Sequence, residues 1–467
     1  MVRRKPKLEG RPVKVAVIGT GYVGLVTGTC LAEIGSEVIC LDMDEEKVRR
    51  INSGMATIYE KGLQDLLTKN IGTRLQATTD PSLALSSADI SIIAVGTPFD
   101  GESIDLEQIK SAAHTIGEFL GSTENYHVVI VKSTVIPGTT ESVVRSTLEA
   151  VSGKKAGRDF GLAMNPEFLR EGVAIQDFME PDRIVIGGID NNSLDKVEQL
   201  YQSFEQQGIP IIRTSCSTAE MIKYANNSLF ATLISFSNEI GNLCARLPGI
   251  DVLDVMAGVH MDKRLSPRQQ DGTIIRPNLL SYLASGCGFG GSCFPKDVKA
   301  LSAQAHQLGL NPQLLDSVIT LNADQVKEII RLTEQKINLS KGRRVTILGL
   351  AFKPDTDDIR ESPAIGIIEE LLKKECSITA YDPMAMPEFR HKYADWAVEY
   401  SYDLEGAIDQ AEIIIIVTCW DSFEPLPNLL KDSPHRPIFV DCRRMFNRSE
   451  IENYIGVGIN SNFESLN

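Results

Sequence analysis

The stretch GFGGSCFPKD at residues 288–297 places a thiol, an amine and a carboxylate (Cys293, Lys296 and Asp297) within five residues, directly after a run of glycines. Pro295 suits the first turn of a helix, because the N–H it lacks is one that a helix start leaves unpaired anyway. The pattern predicts a helix through 298–308 with Cys293 at or just before its N-terminus. There the unpaired N–H groups and the helix dipole favour a thiolate, and Lys296 adds positive charge, which are the conditions a sulfur nucleophile needs. The other eight cysteines lie in strand-like or helix-like patterns or lack these neighbours. The competing reading of Cys293 is a small buried structural residue.

Three further clusters carry chemistry. Lys223 and Asn227 stand four apart in a helix-forming stretch, so they share a face and can both aim at one oxygen that develops negative charge; a solvent-facing stripe is the alternative. Glu167, in NPEFLREG at 165–172, follows the strand-like residues 162–164 and sits at a turn, where a carboxylate can exchange protons with water. Its alternative is a surface acid or a helix cap. The third is GTGYVG at 19–24, with a strand before it, a helix after it and Asp42 closing the next strand about twenty residues on. That spacing is a dinucleotide site: glycines let the backbone approach a pyrophosphate, and the acid bonds the adenosine ribose. An acid there favours NAD over NADP, since it repels a 2'-phosphate.

Placing these groups takes a particular scaffold. Short β-branched runs at 13–18, 37–41, 90–95 and 128–131 each end in a polar or glycine-containing motif, and the apolar-periodic stretch 25–34 closes at Gly35. Alternating buried strands and amphipathic helices predict a parallel, doubly wound sheet with ligands at the carboxyl ends of its strands. The pattern recurs at 344–348, 378–381, 413–417 and 438–440, with a helix at 363–374. Its first turn, GLAFKP at 349–354, lacks the three glycines, so a different ligand is expected there. Between the two lies helix-forming sequence that opens with the capping-box pattern Ser217-Thr218-Ala219-Glu220 and runs to about Arg246. The fold class is therefore α/β: two Rossmann-like doubly wound domains joined by a long central helix. The expected organisation is a basic tail at 1–11, an NAD-binding domain at 12–215, a central helical and dimerisation segment carrying Cys293 at 216–335, and a C-terminal Rossmann-like domain at 336–467.

Bulk properties narrow the classes further. A formal charge of -15 excludes the basic footprint of a nucleic-acid binder. Nine cysteines without a CxxC pair fit a reducing, cytoplasmic setting better than a disulfide framework, and no metal-ligand cluster is evident. The apolar runs are strand-sized, too short to span a bilayer.

Taken together the motifs resemble the UDP-glucose/GDP-mannose dehydrogenase family over nearly the whole chain. GTGYVG, VGTP at 95–98, KSTV at 132–135, NPEFLREG, GFGGSCFPKD and GLAFKPDTDDIRESPA at 349–364 stand in the family's order. PDRIVIG at 181–187 looks like the UDP-glucose branch. The N-acetylhexosamine branch usually has a histidine where this chain has Ser292. The resemblance implies two successive NAD-dependent oxidations of a nucleotide sugar's C6 alcohol, with Cys293 forming a thiohemiacetal and then a thioester. It implies oxyanion support by Lys223 and Asn227, help from Asp297, and water positioning and proton transfer by Glu167 and Thr134. For NAD it points to Gly19, Gly21, Tyr22, Val23, Gly24, Asp42, Lys47, Thr97, Thr134, Glu171 and Arg360. For the nucleotide sugar it points to Glu167, Phe168, Leu169, Lys223, Asn227, Tyr282, Leu283, Ser285, Phe289, Gly290, Phe352, Lys353 and Arg443. Arg264 matches an arginine that serves the neighbouring subunit's substrate, which implies a homodimer or larger homo-oligomer. About a dozen extra residues, including the polar stretch 266–273, separate it from Tyr282. GDP-mannose, dTDP-glucose or a UDP-N-acetylhexosamine remain open as substrates, as does a two-electron hydroxyacid-type dehydrogenase in which Cys293 is idle.

Overall fold

The computed structural model describes residues 11–431 and 433–460; the basic opening segment lies outside them. The chain parts into two compact units, residues 1–226 and 227–467, and the division falls within the long helix Cys216–Cys244.

In the first unit, β1 (Lys14–Ile18), β2 (Glu37–Leu41), β3 (Leu75–Thr78), β4 (Ile90–Ile93), β5 (Val128–Val131), β6 (Gly161–Met164), β7 (Ile184–Gly188) and β8 (Ile211–Thr214) form one sheet, ordered β3-β2-β1-β4-β5-β6-β7-β8. The central strands are buried on both faces, as a sheet covered by helices requires, and apolar clusters built on Val15, Val17 and Ile92 and on Ala16, Ile93 and Val129 fill its two sides. The expectation of a wholly parallel sheet needs one correction, because β6 and β7 pair antiparallel. The segment 165–183 therefore leaves and re-enters the sheet at the same end. It stays at the carboxyl end of β6, and that is where the Glu167 turn lies.

The second unit holds the rest of the long helix, the helices Val252–His260, Phe294–Gln307 and Gln313–Glu334, and a second sheet. Its strands are β9 (Arg344–Leu348), β10 (Ser377–Tyr381), β11 (Val398–Tyr400), β12 (Ile413–Ile416), β13 (Ile438–Asp441) and β14 (Tyr454–Gly456), all parallel in the order β11-β10-β9-β12-β13-β14. In each sheet the strand that comes first in the chain lies third from one edge and the order of strands reverses beside it, which opens a crevice at the strand ends.

The capping-box expectation at 217–220 is also corrected. The long helix starts at Cys216 and its Thr218 amide donates to Ser215 Oγ at 3.2 Å, so the capping side chain is Ser215 and not the expected Ser217. Glu220 is fully buried and turns instead to the segment after β5, accepting from the Gly138 amide and from Thr140 N and Oγ1 at 2.5, 2.8 and 2.6 Å. Three tertiary donors in a dry site outweigh one local capping bond.

Candidate active site

The first turn of the first sheet is shaped for close backbone approach. Gly19 has φ +95, and a Cβ on Gly24 would lie 1.9 Å from the Gly19 carbonyl oxygen, so neither position accepts a side chain. Gly21, between them, is exposed with nothing within 4 Å of where its Cβ would be. It is also the N-cap of the helix Tyr22–Ile34, whose first-turn N–H groups receive no side-chain cap. An open helix N-terminus with a bare backbone beside it fits a pyrophosphate. Asp42, at the end of β2, is half-buried and accepts from Thr20 N at 2.8 Å and Thr20 Oγ1 at 2.5 Å. Burial pushes its carboxyl up, but bonds from Thr20 and the Asp44 amide, together with the charge of Lys47, outweigh that and hold it below the ordinary value. It stays an anion able to accept from a ribose hydroxyl. Thr97 Oγ1 donates to the Thr134 carbonyl at 2.8 Å, tying together the ends of β4 and β5. Val23 and Glu171 are partly exposed, and the Glu171 charge reaches the Tyr22 hydroxyl. These residues fit the adenosine and phosphate end of NAD.

The same unit brings Glu167 and Lys223 together as an ion pair, Oε1 to Nζ 2.8 Å, with side chains only 5% and 4% exposed. The surface-acid and solvent-stripe readings are thereby excluded. Glu167 Oε2 accepts from the Leu169 amide at 2.6 Å, so the turn closes on its own carboxylate. Phe168 lies under Arg183, whose guanidinium carbon is 4.1 Å from the ring centroid. Sequence reasoning passed over three neighbours. Lys132, at the end of β5, is buried and donates to Asn165 Oδ1 at 3.0 Å, which also accepts from the buried Tyr201 hydroxyl at 2.6 Å. Burial brings the Lys132 amine down to about 8, with Glu167 opposing the shift and Lys223 reinforcing it. Lys132 and Asn165 open the motifs KSTV and NPEFLREG, but nothing in the local sequence announces that they meet each other and Tyr201, because the members are 33 and 36 residues apart.

In the second unit Cys293 is the N-cap residue of the helix Phe294–Gln307, with a proline in the first turn as the sequence predicts. The residue is partly exposed, and its sulfur lies 3.5 Å from Ser292 Oγ. Asp297, one turn into the helix, is buried and accepts from Asn227 Nδ2 and Lys296 Nζ, each at 2.6 Å. The carboxylate thus fixes the Asn227 amide and holds the Lys296 charge beside the helix start. The other cysteines contrast with this setting. Burial pushes the Cys40 and Cys419 thiols up to about 12. Cys287 is drawn down by the Cys442 thiol, but only 1% of it is accessible.

The segment that precedes Cys293 packs within its own unit. Tyr282 stacks on Phe230 with centroids 4.4 Å apart, and the Leu283 carbonyl is 3.1 Å from His260 Nε2. Ser285 is buried, and the Phe289 amide donates to Asn322 Oδ1 at 2.8 Å. Gly290 and Gly291 leave room for the C-terminal domain's first turn: a Cβ on Gly290 would meet the Glu361 carbonyl at 2.3 Å, and one on Gly291 would meet the Phe352 ring at 2.8 Å. Lys353 Nζ lies 5.7 Å from that ring's centroid. Arg443 Nε donates to the Val417 carbonyl at 2.8 Å and Nη1 to the Gly288 carbonyl at 3.3 Å. Arg360 makes a two-pronged pair with Asp358, both bonds 2.8 Å. Arg264, exposed, pairs in the same way with Asp262 at 3.0 and 2.7 Å. Residues 266–273 form the expected polar loop, pinned by Gln269 N to the Thr273 carbonyl at 2.8 Å. Among the described residues no group of histidines, cysteines and carboxylates is disposed to hold a metal, and no helix is long and apolar enough to cross a membrane.

The dinucleotide turn and its strand-end acid define the class, an NAD-dependent dehydrogenase. The match to known proteins is narrower. Residues 13–205 match the NAD binding domain, 217–324 the central domain and 346–448 the UDP binding domain of the UDP-glucose/GDP-mannose dehydrogenase family. The chain belongs to this family. It is 38% identical over 441 residues to UDP-glucose 6-dehydrogenase AglM of Haloferax volcanii, covering 94% of this chain and 98% of that protein. It is 41% identical over 443 residues to UDP-glucose 6-dehydrogenase TuaD of Bacillus subtilis, covering 94% and 91%. The fold is similar to the solved UDP-glucose dehydrogenase of the hyperthermophilic archaeon Pyrobaculum islandicum, with a TM-score of 0.86 at 36% identity over 96% of this chain and 98% of that one.

Proposed function

We propose that the protein oxidises the C6 alcohol of UDP-glucose to the carboxylate of UDP-glucuronate, with Cys293 as the covalent nucleophile. The single observation that carries the chemistry is a partly exposed cysteine at a proline-started helix N-terminus, one turn before the Asp297 that fixes the Asn227 amide. Relatives that carry UDP-glucose 6-dehydrogenase in their names, together with the UDP binding domain match, support the choice of sugar nucleotide.

NAD, when bound at the turn 19–24 and Asp42, supplies the hydride acceptor for both oxidations. In the first, the C6 hydroxyl passes its proton to an active-site water as the hydride leaves, and the product is the aldehyde. Cys293 sulfur then adds to that carbon, and the oxyanion of the thiohemiacetal is met by Lys223 and the Asn227 amide. Loss of the second hydride gives a thioester. Water attacks it, Glu167 takes the water's proton with Thr134 positioning, and the C–S bond breaks to return the thiol. The balance is one alcohol, two NAD and one water giving one carboxylate, two NADH and three protons. Holding the carbon on sulfur keeps the aldehyde from escaping while the cofactor is exchanged.

The residues 282–290 with Phe352, Lys353 and Arg443 are proposed to hold the nucleotide sugar, and Arg360 to reach the cofactor pyrophosphate. A homodimer is supported by the second unit's stretch of the long helix, where Leu229, Phe236 and Leu243 recur every seventh residue and are each about half exposed. Nine cysteines without a CxxC pair support a reducing, cytoplasmic setting. The test is NADH formation with UDP-glucose, GDP-mannose, dTDP-glucose and a UDP-N-acetylhexosamine. UDP-glucose is expected to give the highest kcat/KM, and silence with it would reject the substrate. Cys293→Ser is expected to abolish acid formation while leaving NAD affinity within about twofold; unchanged activity would remove the covalent step.

A further inference from the structure

Glu60 belongs to none of the motifs above, yet it is 5% exposed and satisfied by three donors from two distant segments. Its Oε2 accepts the Tyr22 hydroxyl and the Gly172 amide, the latter at 2.7 Å, and its Oε1 accepts the Ala174 amide at 2.9 Å. Tyr22 is the first residue of the helix that opens at the cofactor turn. Gly172 has φ +83, and the turn there presents the amides of residues 172 and 174 to one carboxylate. Ala174 begins the helix Ala174–Met179, whose N-cap Val173 offers no side-chain bond, so Glu60 caps it from outside. Burial, then the Glu60 bond and charge, push the Tyr22 phenol far up, which keeps it a donor.

From that helix the connection runs on to the acid–base carboxylate. Asp177 within it accepts Arg170 N at 2.9 Å, Nε at 3.0 Å and Nη2 at 2.6 Å. The residue before Arg170, Leu169, gives its amide to Glu167 at 2.6 Å, and Glu167 pairs with Lys223. Every link is short, and all lie in the first unit.

We infer that Glu60 is the positioning residue that couples the cofactor turn at Tyr22 to the placement of Glu167. The inference rests on the acid–base role proposed for Glu167. An amide at position 60 cannot replace the carboxylate, because Gly172 and Ala174 both donate and to different oxygens, so one would face an NH2 group.

The experiment compares Glu60→Gln, Glu167→Gln and the double variant in the full-length enzyme with UDP-glucose and NAD. Expected for Glu60→Gln is about a tenfold rise in KM for NAD and about a tenfold fall in kcat, with a UDP-sugar adduct building up on Cys293 in the intact-protein mass spectrum. The double variant is expected to be no slower than Glu167→Gln alone, since both act through one carboxylate. Effects that multiply would overturn the coupling, as would a folded Glu60→Gln enzyme with wild-type KM and kcat. An adduct missing from Glu167→Gln would instead reject the hydrolysis role of Glu167, and the double variant would still decide whether Glu60 acts through it. If Glu60→Gln does not fold, Glu60→Asp serves, because it keeps the charge but draws it back by one methylene. Partial loss with the same non-multiplying pattern supports the inference, and multiplying effects overturn it.

Discussion

The two sheets share one topology, β3-β2-β1-β4-β5 in the first and β11-β10-β9-β12-β13 in the second, and differ in what fills the crevice at the strand ends. After β1 the backbone at Gly21 faces open space. After β9 the turn is filled: Leu350 and Ala351 are fully buried, and both amides donate to Asp382, at 2.7 and 3.0 Å. Asp42 and Asp382 end equivalent strands, yet Asp42 is half-buried, whereas Asp382 is sealed by five donors that also include Trp420 Nε1, Met384 N and Ala385 N at 3.0, 2.8 and 2.7 Å. At the ends of β5 and β13 stand a buried lysine, Lys132, and a buried acid, Asp441, which accepts from Arg443 N and Phe446 N, each at 3.0 Å. The same scaffold can therefore present its strand-end acid to a ligand or spend it on its own turn, and the sealing of the acid decides which.

The largest effect expected from this contrast is on stability. Asp382→Ala leaves five buried donors without their acceptor and should lower the unfolding free energy by about 4 kcal/mol or more, with NAD affinity of the remaining folded protein unchanged. Urea denaturation and NAD titration check it, and a stable variant with weakened NAD would erase the distinction between the two acids.

Next comes Lys132. Its amine titrates at about 8 in the folded protein, against roughly 10.4 in an unfolded chain. Between those values the unfolded chain holds a proton that the native one does not, so this residue makes stability rise with pH through that window, and its penalty is fully present below pH 8. Lys132→Met should flatten the rise and recover up to about 3 kcal/mol below pH 8. Unfolding midpoints at pH 7 and pH 10, compared with wild type, read the difference. An unaltered slope would mean that the amine is not desolvated.

The smallest effect is on recognition. Asp42→Ala should weaken NAD by about 1–2 kcal/mol and narrow its preference over NADP, with little change in thermal stability, because only Thr20 and Asp44 lose a partner. Equal affinities before and after would contradict the ribose assignment.

Much of this was legible in the residues. Strands such as 37–41, 128–131 and 344–348 are bounded to the residue, since β-branched runs stop at glycine, aspartate or lysine, and the Cys293 helix follows from Pro295. What escaped is long-range. The reversal at β7 leaves no mark on local periodicity, because a buried strand reads alike in either direction. Glu220 fits a capping pattern, but donors some 80 residues away claim it. Glu60 looks like an ordinary acid before a helix until Gly172 and Ala174, 112 and 114 residues on, are seen to need it. Glu167, by contrast, was found from its turn, although its pairing with Lys223 required the fold.

The most direct test of the central claim counts NADH against sugar consumed, with UDP-glucose limiting and NAD in excess. An oxidation that passes through the Cys293 thioester gives two NADH per sugar, with UDP-glucuronate as the product. A ratio of one, with the aldehyde or another two-electron product accumulating, would contradict it.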